Sequence, residues 1–155
     1  MSKNSDKRVI WTDSKTGFVC EMSCSDNCNR TVEDIASTDV PKGETYYILN
    51  ATDVPTDIAH WEAINYSPSE GFTYDIPKAI EIQKDLIRTA REPLLKELDI
   101  QFQRALETGA STSSIVNQKQ KLRDATENTT LANAKTIEEI KASWDNSILG
   151  SSPYS

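Results

Sequence analysis

Three cysteines and the single histidine are the residues whose types best suit metal chemistry. Cys20, Cys24 and Cys28 follow one another at a C-x3-C-x3-C spacing, and His60 lies further along the 155-residue chain. Thiolates and imidazoles are ligands that zinc prefers, so these four residues offer a candidate tetrahedral site. Zinc knuckles, however, space their paired cysteines at C-x2-C or C-x4-C. We therefore interpret the three cysteines as ordinary cytosolic thiols, and keep a small metal-binding regulator as an alternative.

Acid and base catalysis is the other chemistry that these residue types suggest. His60 is a potential general base, but no nucleophile accompanies it in the local sequence. The acidic pairs Glu33/Asp34 and Glu138/Glu139 fall in first turns of expected helices, where the helix dipole favours carboxylates. The five glycines are scattered singly, so the chain has no glycine-rich phosphate loop. The sequence therefore predicts a non-enzymatic protein with no catalytic residues and no cofactor.

Charge is distributed unevenly along the chain. Residues 1–75 contain 6 Lys and Arg against 13 Asp and Glu, whereas residues 76–155 contain 11 of each. The net charge of −7 belongs to the N-terminal part, whose field would repel phosphates, so we do not expect nucleic acid as a partner. In the balanced part, pairs at helical spacing such as Glu92/Lys96 predict a solvent-facing helix.

The sequence shows no segment suited to a membrane. The polar start MSKNSDKR is not followed by an apolar run of about 7–15 residues, and nowhere do about 18 apolar residues occur in succession. We therefore expect a protein that is made and kept in the cytosol and has no membrane partner.

The first half of the chain predicts a small α+β module. A β-hairpin is expected over residues 8–22, because two β-prone runs flank a turn-rich segment. Thr31 is suited to cap a short helix ending near Ala36. Residues 45–49 are the strongest strand candidate, and we expect this strand to pair with the hairpin.

The end of this module predicts one more short element and a connector. A short helix is expected at residues 57–64, with Ile58 and Trp61 directed towards the sheet. Residues 66–75 are expected to connect the module to the second half without regular structure.

A long amphipathic helix dominates the second half. It begins at Ile76 with Asp75 as its N-cap and runs for about 30 residues. Pro93 removes one amide from the helical ladder, so we expect a kink or brief break there. After Gly109, a second helix is expected at residues 113–126.

The C-terminal end predicts one last short helix. Thr136 and Glu139 form a capping box at its start, and it ends near Trp144. Trp144 is expected to fold back onto the other helices, and residues 146–155 to form a loose tail.

The long helix has more apolar surface than the second helix can cover. At about 100° per residue its apolar stripe consists of Ile76, Ile80, Ile87, Ala90, Leu94, Leu98 and Ala105, widened by Leu86, Leu95 and Phe102. The second helix offers Ile115, Val116, Leu122 and Ala125. We therefore expect Ile87, Leu94, Leu98 and Phe102 to be partner-binding residues. Burial of this face within the monomer, or against copies of the chain, stays open.

Two stretches of the sequence resemble a known family. They are VEDIASTDVPKGETYYILNATDVPTDIAHWEAI and KAIEIQKDLIRTAREPLLKELD, the latter followed by KQKLRDAT and TIEEIKASW. They are similar to small proteins of tailed bacteriophages that are encoded beside tail-fibre genes and regarded as tail-fibre assembly or fibre-associated proteins. The resemblance covers most of residues 31–144 and brings no catalytic residues with it. Residues 1–30, which contain the three cysteines, lie outside it.

The sequence as a whole predicts an α+β protein with two parts. Residues 1–75 form a small acidic module with a β-hairpin and short helices, and residues 76–155 form a long helical hairpin with a short terminal helix. The resemblance implies a non-enzymatic phage tail protein, present in the host cytoplasm during assembly and then either released or kept on the virion tail. Its implied partner is a tail-fibre or other tail protein. A self-assembling structural protein that trimerises through the long helix is a further alternative.

Overall fold

The structure is a computed structural model that describes residues 4–154. The architecture is α+β, as the sequence predicts, with antiparallel strands in the first half and helices in the second. The chain divides into two compact units, one that ends at Tyr74 and one that begins at Asp75. We call them the N-terminal unit and the C-terminal unit.

The N-terminal unit is built from short strands and one helix. Its elements are β1 (Lys7–Thr12), β2 (Val19–Ser23), α1 (Val32–Asp39), β3 (Tyr46–Asn50), β4 (Ile64–Ser67) and β5 (Gly71–Tyr74). β1 lies between β2 and β3 in an antiparallel sheet, where Val9 is opposite both Met22 and Ile48. The expected pairing of the third strand with the N-terminal hairpin is confirmed.

Both faces of this sheet are buried. Successive strand residues point to opposite sides, so the neighbours Val9 and Ile10 enter different clusters. Val9 is completely buried in a cluster with α1, which contributes Ile35 and Ala36. Ile10 is completely buried in a second cluster, which includes Ile64 of β4. Helix α1 therefore covers one face of the sheet and the β4–β5 hairpin the other.

Three expectations for the N-terminal unit need correction or confirmation. Thr31 does cap α1, and its side chain accepts the Asp34 amide hydrogen at 3.1 Å. Residues 57–64 are not an α-helix but a turn followed by a single 3-10 turn at Trp61–Ala63. Residues 66–75 are not an irregular connector, since they complete β4 and form β5.

The turn at residues 57–60 changes which side chain faces the sheet. Ile58 is 86% exposed, so the expectation that it packs inward is wrong. Trp61 does pack inward, and its indole N–H donates to the Val19 carbonyl at 2.7 Å. A helix would have carried both residues to one side, whereas the turn separates them.

The C-terminal unit is helical throughout. Its elements are α2 (Ile76–Thr108), α3 (Ser113–Asp124), α4 (Thr129–Ala132), α5 (Ile137–Ala142) and α6 (Asn146–Leu149), with a 3-10 turn at Ala125–Glu127. None of the helices within residues 4–154 is both long and apolar enough to cross a bilayer.

Helix α2 is a single element of 33 residues, which corresponds to about 50 Å. The Asp75 side chain accepts the Lys78 amide hydrogen at 3.1 Å, so the predicted cap is confirmed. Gly109 ends the helix with φ of 69°, a left-handed conformation that costs glycine little. The helix continues through Pro93 without a break.

Residues 146–154 pack on the helices, so the expected loose tail is wrong for them, and Ser155 lies outside the described residues. Residues 146–149 form α6, and its Leu149 is buried. The Tyr154 hydroxyl accepts a hydrogen bond of 2.8 Å from the Gln83 side-chain amide on α2. Trp144 is also buried, and its indole N–H donates to the Gly150 carbonyl at 2.9 Å. The C-terminal residues therefore pack on the helices instead of leaving them.

Candidate partner-binding site

A groove in the C-terminal unit is the concave site that best matches the sequence expectation. It has a volume of about 420 Å³ and lies between α2, α3 and α6. Its lining residues are Leu94, Glu97, Leu98, Gln101, Gln118, Lys121, Leu122, Ser147 and Ile148. Two of the four predicted partner-binding residues are among them.

Two interactions between α2 and α3 fix the walls of the groove. The Arg91 guanidinium donates to the carbonyls of Leu122 and Arg123, which lie at the C-terminal end of α3. Nearer the loop, the Lys119 ammonium lies 2.5 Å from the Asp99 carboxylate. The two helices are thus held together at both ends of the stretch that lines the groove.

Apolar side chains form the floor of the groove and polar ones its sides. Leu98 and Leu122 are nearly completely buried, at 7% and 4% exposure, whereas Leu94 and Ile148 are partly exposed. Gln101 and Gln118 are exposed and each donates within its own helix, to Glu97 and Ser114 respectively. The site can receive an apolar side chain between two polar edges.

The charged side chains at the edges of the groove are Glu97 and Lys121. Glu97 on α2 and Lys121 on α3 take part in no ion pair among residues 4–154. Elsewhere on α2, acidic side chains do have basic partners, as in the pair of Glu92 and Lys96, which the sequence predicted. Among the described residues the groove therefore presents one carboxylate that is hydrogen-bonded within its own helix and one ammonium outside any ion pair.

The other two predicted partner-binding residues lie elsewhere. Ile87 is completely buried, so it belongs to the core and offers no surface to a partner. Phe102 does not line the groove, and its ring lies under the Lys119 ammonium at 5.2 Å, a cation–π contact. The prediction of a surface centred on all four residues is therefore too broad, since α2 turns two of them away from the groove.

Sequence reasoning missed the contribution of α6, which supplies Ser147 and Ile148. The signal was present, because Asp145 is a favoured N-cap residue and Gly150 a favoured terminating residue. Asp145 does cap α6, accepting the Ser147 amide hydrogen at 2.9 Å and the Ser147 hydroxyl at 2.5 Å. These hydrogen bonds hold the pKa of Asp145 below its usual value, with the side-chain bond as the main cause.

The candidate zinc ligands are not assembled into a metal site. Within residues 4–154 no group of three or more His, Cys, Asp or Glu side chains is placed to hold a metal ion. Cys24 is buried against α1 with Cys28 beside the same cluster, and Cys20 lies on β2 with its thiol 3.8 Å from the Phe18 carbonyl. The His60 ring contacts the Asp57 carboxylate instead. Cys24 and Cys28 thus pack at one cluster, whereas Cys20 and His60 make other contacts.

Burial also makes two of these thiols poor nucleophiles. It is the main cause that raises the pKa of Cys20, with the Asp13 charge second, and the main cause that raises the pKa of Cys24, with Cys28 second. A raised pKa means less of the reactive thiolate at neutral pH. The arrangement favours structural thiols over catalytic ones.

His60 forms a buried pair that the sequence did not reveal. Its Nδ1 lies 3.1 Å from the Asp57 Oδ2 and 3.2 Å from Oδ1, and its backbone N–H donates to Oδ1 at 3.3 Å. His60 is completely buried and Asp57 is 7% exposed. A carboxylate that orients an imidazole also occurs in hydrolase triads, but a substrate would need access to the ring. The burial of both residues favours a structural role.

Comparison with protein-family models, with curated proteins and with solved structures finds no match. The functional argument therefore rests on the residues of this chain.

Proposed function

We propose that this chain is a non-enzymatic bacteriophage tail protein that assists tail-fibre folding or assembly, or remains on the virion as a fibre-associated subunit. The observation that carries the proposal is the groove beside Leu94 and Leu98, where Leu94 of the apolar stripe stays partly exposed. The resemblance of residues 31–144 to fibre-associated proteins supplies the class of partner.

The surface chemistry of the groove supports a binding role. A protein that protects an assembling partner needs an accessible apolar surface with a polar rim, because such a surface excludes water at its centre and sets specificity at its edge. Leu94 and Ile148 are accessible apolar groups, and Glu97 and Lys121 are the charged rim.

Co-expression with the tail-fibre protein of the same phage tests this proposal. We expect the two proteins to purify together, and the soluble yield of the fibre to fall when this chain is omitted. The substitution Leu94→Gln should weaken the complex, whereas Leu106→Gln, on the same helix but outside the groove, should leave it intact. If no complex forms and the fibre is equally soluble without this chain, the proposal is wrong.

Self-assembly is a second candidate that a specific observation favours. Ile100 and Leu106 on α2 and Val116 on α3 are 48%, 55% and 48% exposed, and they are large apolar side chains that another copy of the chain could cover. Light scattering on the purified chain distinguishes the two candidates. A stable trimer that Leu106→Gln converts to monomer supports self-assembly, and a monomer at all concentrations rules it out.

A further inference from the structure

Two of the three cysteines meet at the loop between β2 and α1. Cys24 directly follows β2 and is buried in the cluster that α1 forms with one face of the sheet. Cys28 is partly exposed and packs against the same cluster. Both are free thiols, so the structure shows this pair in its reduced state.

The backbone between these two cysteines turns back on itself. The Cys28 N–H donates to the Ser25 carbonyl at 3.2 Å, and the Asn27 N–H donates to the Ser25 hydroxyl at 3.2 Å. A turn closed in this way brings the Cα atoms of its first and last residues to within roughly 7 Å. Cys24 immediately precedes this turn and Cys28 ends it. The two thiols also influence each other, since the Cys28 charge follows burial as a cause that raises the pKa of Cys24.

Cys20 has the same spacing from Cys24 but a different backbone between them. Residues 20–23 belong to β2, and an extended strand rises about 3.3 Å per residue, so the Cα atoms of Cys20 and Cys24 stand roughly 13 Å apart. A disulfide requires Cα atoms about 4.4–6.8 Å apart. The C-x3-C-x3-C pattern therefore contains two pairs of equal spacing, and the fold makes only the second one suitable for a disulfide.

We propose that Cys24 and Cys28 form a reversible disulfide, with a low-molecular-weight disulfide such as oxidised glutathione as the oxidant. The accessible Cys28 thiolate attacks one sulfur of oxidised glutathione and releases one glutathione. Cys24 then loses its proton and attacks Sγ of Cys28, and the Sγ–Sγ bond forms as the second glutathione leaves. The cysteines lose two electrons and two protons, which convert oxidised glutathione into two glutathione molecules. A reducing cytosol keeps the pair open.

The disulfide closes a loop to which the start of the chain is attached. Asp26 lies inside the turn and accepts hydrogen bonds from the Ser5 backbone N–H at 2.9 Å and from the Ser5 hydroxyl at 2.7 Å. The Asn4 side chain donates to the Arg30 carbonyl at 2.9 Å. Oxidation therefore fixes the connection between β2, α1 and the residues before β1. It is independent of the proposed function, because the groove takes no part in it.

Incubation of the purified full chain with oxidised glutathione tests this inference. Acid quenching and alkylation with N-ethylmaleimide trap the thiols that remain. Trypsin and a glutamate-specific protease then release residues 22–30, which contain Cys24 and Cys28 without Cys20. Mass spectrometry identifies the proposed bridge by the loss of two hydrogen atoms from this peptide, whereas a bridge to Cys20 would join it to residues 16–21.

We expect the bridge between Cys24 and Cys28 to exceed that between Cys20 and Cys24 about tenfold or more in the folded chain. In urea the two bridges should form to a similar extent, because they close loops of equal length. Cys20→Ser is the matched control and should leave the bridge unchanged, whereas folded Cys28→Ser should form none. Hydrogen exchange at residues 25–28 should slow several-fold on oxidation and recover with dithiothreitol.

The chain unfolded in urea makes a negative result decisive. If oxidised glutathione bridges the unfolded chain but leaves the folded one with free thiols or glutathione adducts alone, the fold does not permit the bond and the inference is wrong. A bridge between Cys20 and Cys24 that dominates in the folded chain would overturn it as well. Neither result bears on co-purification with the fibre, which tests the proposed function by itself.

Discussion

The side-chain amide of Gln83 donates to the hydroxyl of Tyr154 over 2.8 Å, although 71 residues separate them in the chain. Gln83 is completely buried on α2, and the same hydroxyl lies 3.3 Å from the Lys141 carbonyl of α5. The Tyr154 ring also contacts Trp144 edge to face, with centroids 6.1 Å apart. The last residues of the described chain therefore connect α2 with α5.

Removal of the Tyr154 hydroxyl should destabilise the C-terminal unit. In Tyr154→Phe the buried Gln83 amide loses a partner while the ring stays, so we expect the free energy of unfolding to fall by about 1 kcal/mol. Urea denaturation measures the change. Tyr47→Phe is the matched control, since the Tyr47 ring packs against Tyr66 and the change there should stay within about 0.5 kcal/mol. Equal effects of the two substitutions would mean that the hydrogen bond between Gln83 and Tyr154 does not stabilise the C-terminal unit.

The buried pair of Asp57 and His60 should be structural. Asp57→Ala leaves the imidazole and the His60 backbone N–H without this carboxylate, so we expect a loss of about 2–3 kcal/mol in unfolding free energy. Chemical denaturation followed by tryptophan fluorescence reports the loss, because Trp61 lies next to the pair. Asp53→Ala, an exposed carboxylate nearby, should change stability by less than about 0.5 kcal/mol. A loss at Asp57 no larger than that of the control would mean that the pair does not hold this turn.

The cysteines should react slowly in the folded protein. Because burial raises the pKa of Cys20 and Cys24 above the ordinary 9.0, both thiols stay neutral at pH 8. Alkylation by iodoacetamide, followed by mass spectrometry, should be several-fold slower at these residues than in urea. Added zinc should not protect them. Protection at stoichiometric zinc would revive the metal-binding alternative.

The same shift in pKa has a defined effect on stability. A group whose folded pKa lies above its unfolded pKa contributes stability below the unfolded value, and this contribution disappears as pH rises through the folded value. For Cys20 and Cys24 this loss of stability occurs above pH 9.0. Replacement of both by serine should therefore flatten the alkaline loss of stability, which thermal melts between neutral and alkaline pH would show.

The cap of α6 should control the end of the groove. Asp145→Ala removes the acceptor of the Ser147 amide hydrogen, so hydrogen exchange in residues 146–149 should become faster. Asp145→Asn keeps an acceptor and should retain most of the protection. Exchange that is the same in all three proteins would show that the cap does not hold α6.

The pH dependence of this cap has the opposite sign to that of the thiols. The pKa of Asp145 is lowered in the fold, so its stabilisation is present above the unfolded value and is lost as pH falls through the folded one. This loss of stabilisation occurs below the ordinary pKa of 3.8. Protection of α6 should therefore persist at pH 5 and decrease only in stronger acid.

The features that the sequence predicted correctly depend on neighbours in the chain. Thr31, Asp75 and Thr136 are N-caps whose hydrogen bonds reach only three residues ahead. The long helix follows from a sustained period of 3.6 residues, which local sequence also contains. Such interactions can be inferred without knowing what else packs nearby.

The features that the sequence did not predict depend on distant partners or on a turn. Ile58 points outward because Asp57 turns inward to His60, a choice that periodicity does not encode. The β4–β5 hairpin had a usable signal, since two β-prone runs flank a short turn at residues 68–70 that is followed by Gly71. The packing of Tyr154, past α6, had none, because it depends on Gln83 of α2, which is 71 residues away in the chain.

The candidate site was predicted only in part, because its position on α2 follows from local sequence whereas its walls depend on distant residues. Leu94 and Leu98 belong to the apolar stripe, and the stripe gives the correct region of α2. It cannot say which members α3 and α6 leave accessible, because that depends on the tertiary packing around Ile87 and Phe102.

The loop between α2 and α3 offers a place to attach a reporter without disturbing the groove. Its residues from Gly109 to Ser111 are exposed, and none of the lining side chains comes from it. Exposed loops of small polar residues accept short insertions well. A fluorophore or peptide epitope inserted after Ser111 would leave both chain ends untouched, and the binding experiments on the groove could be read from that internal position.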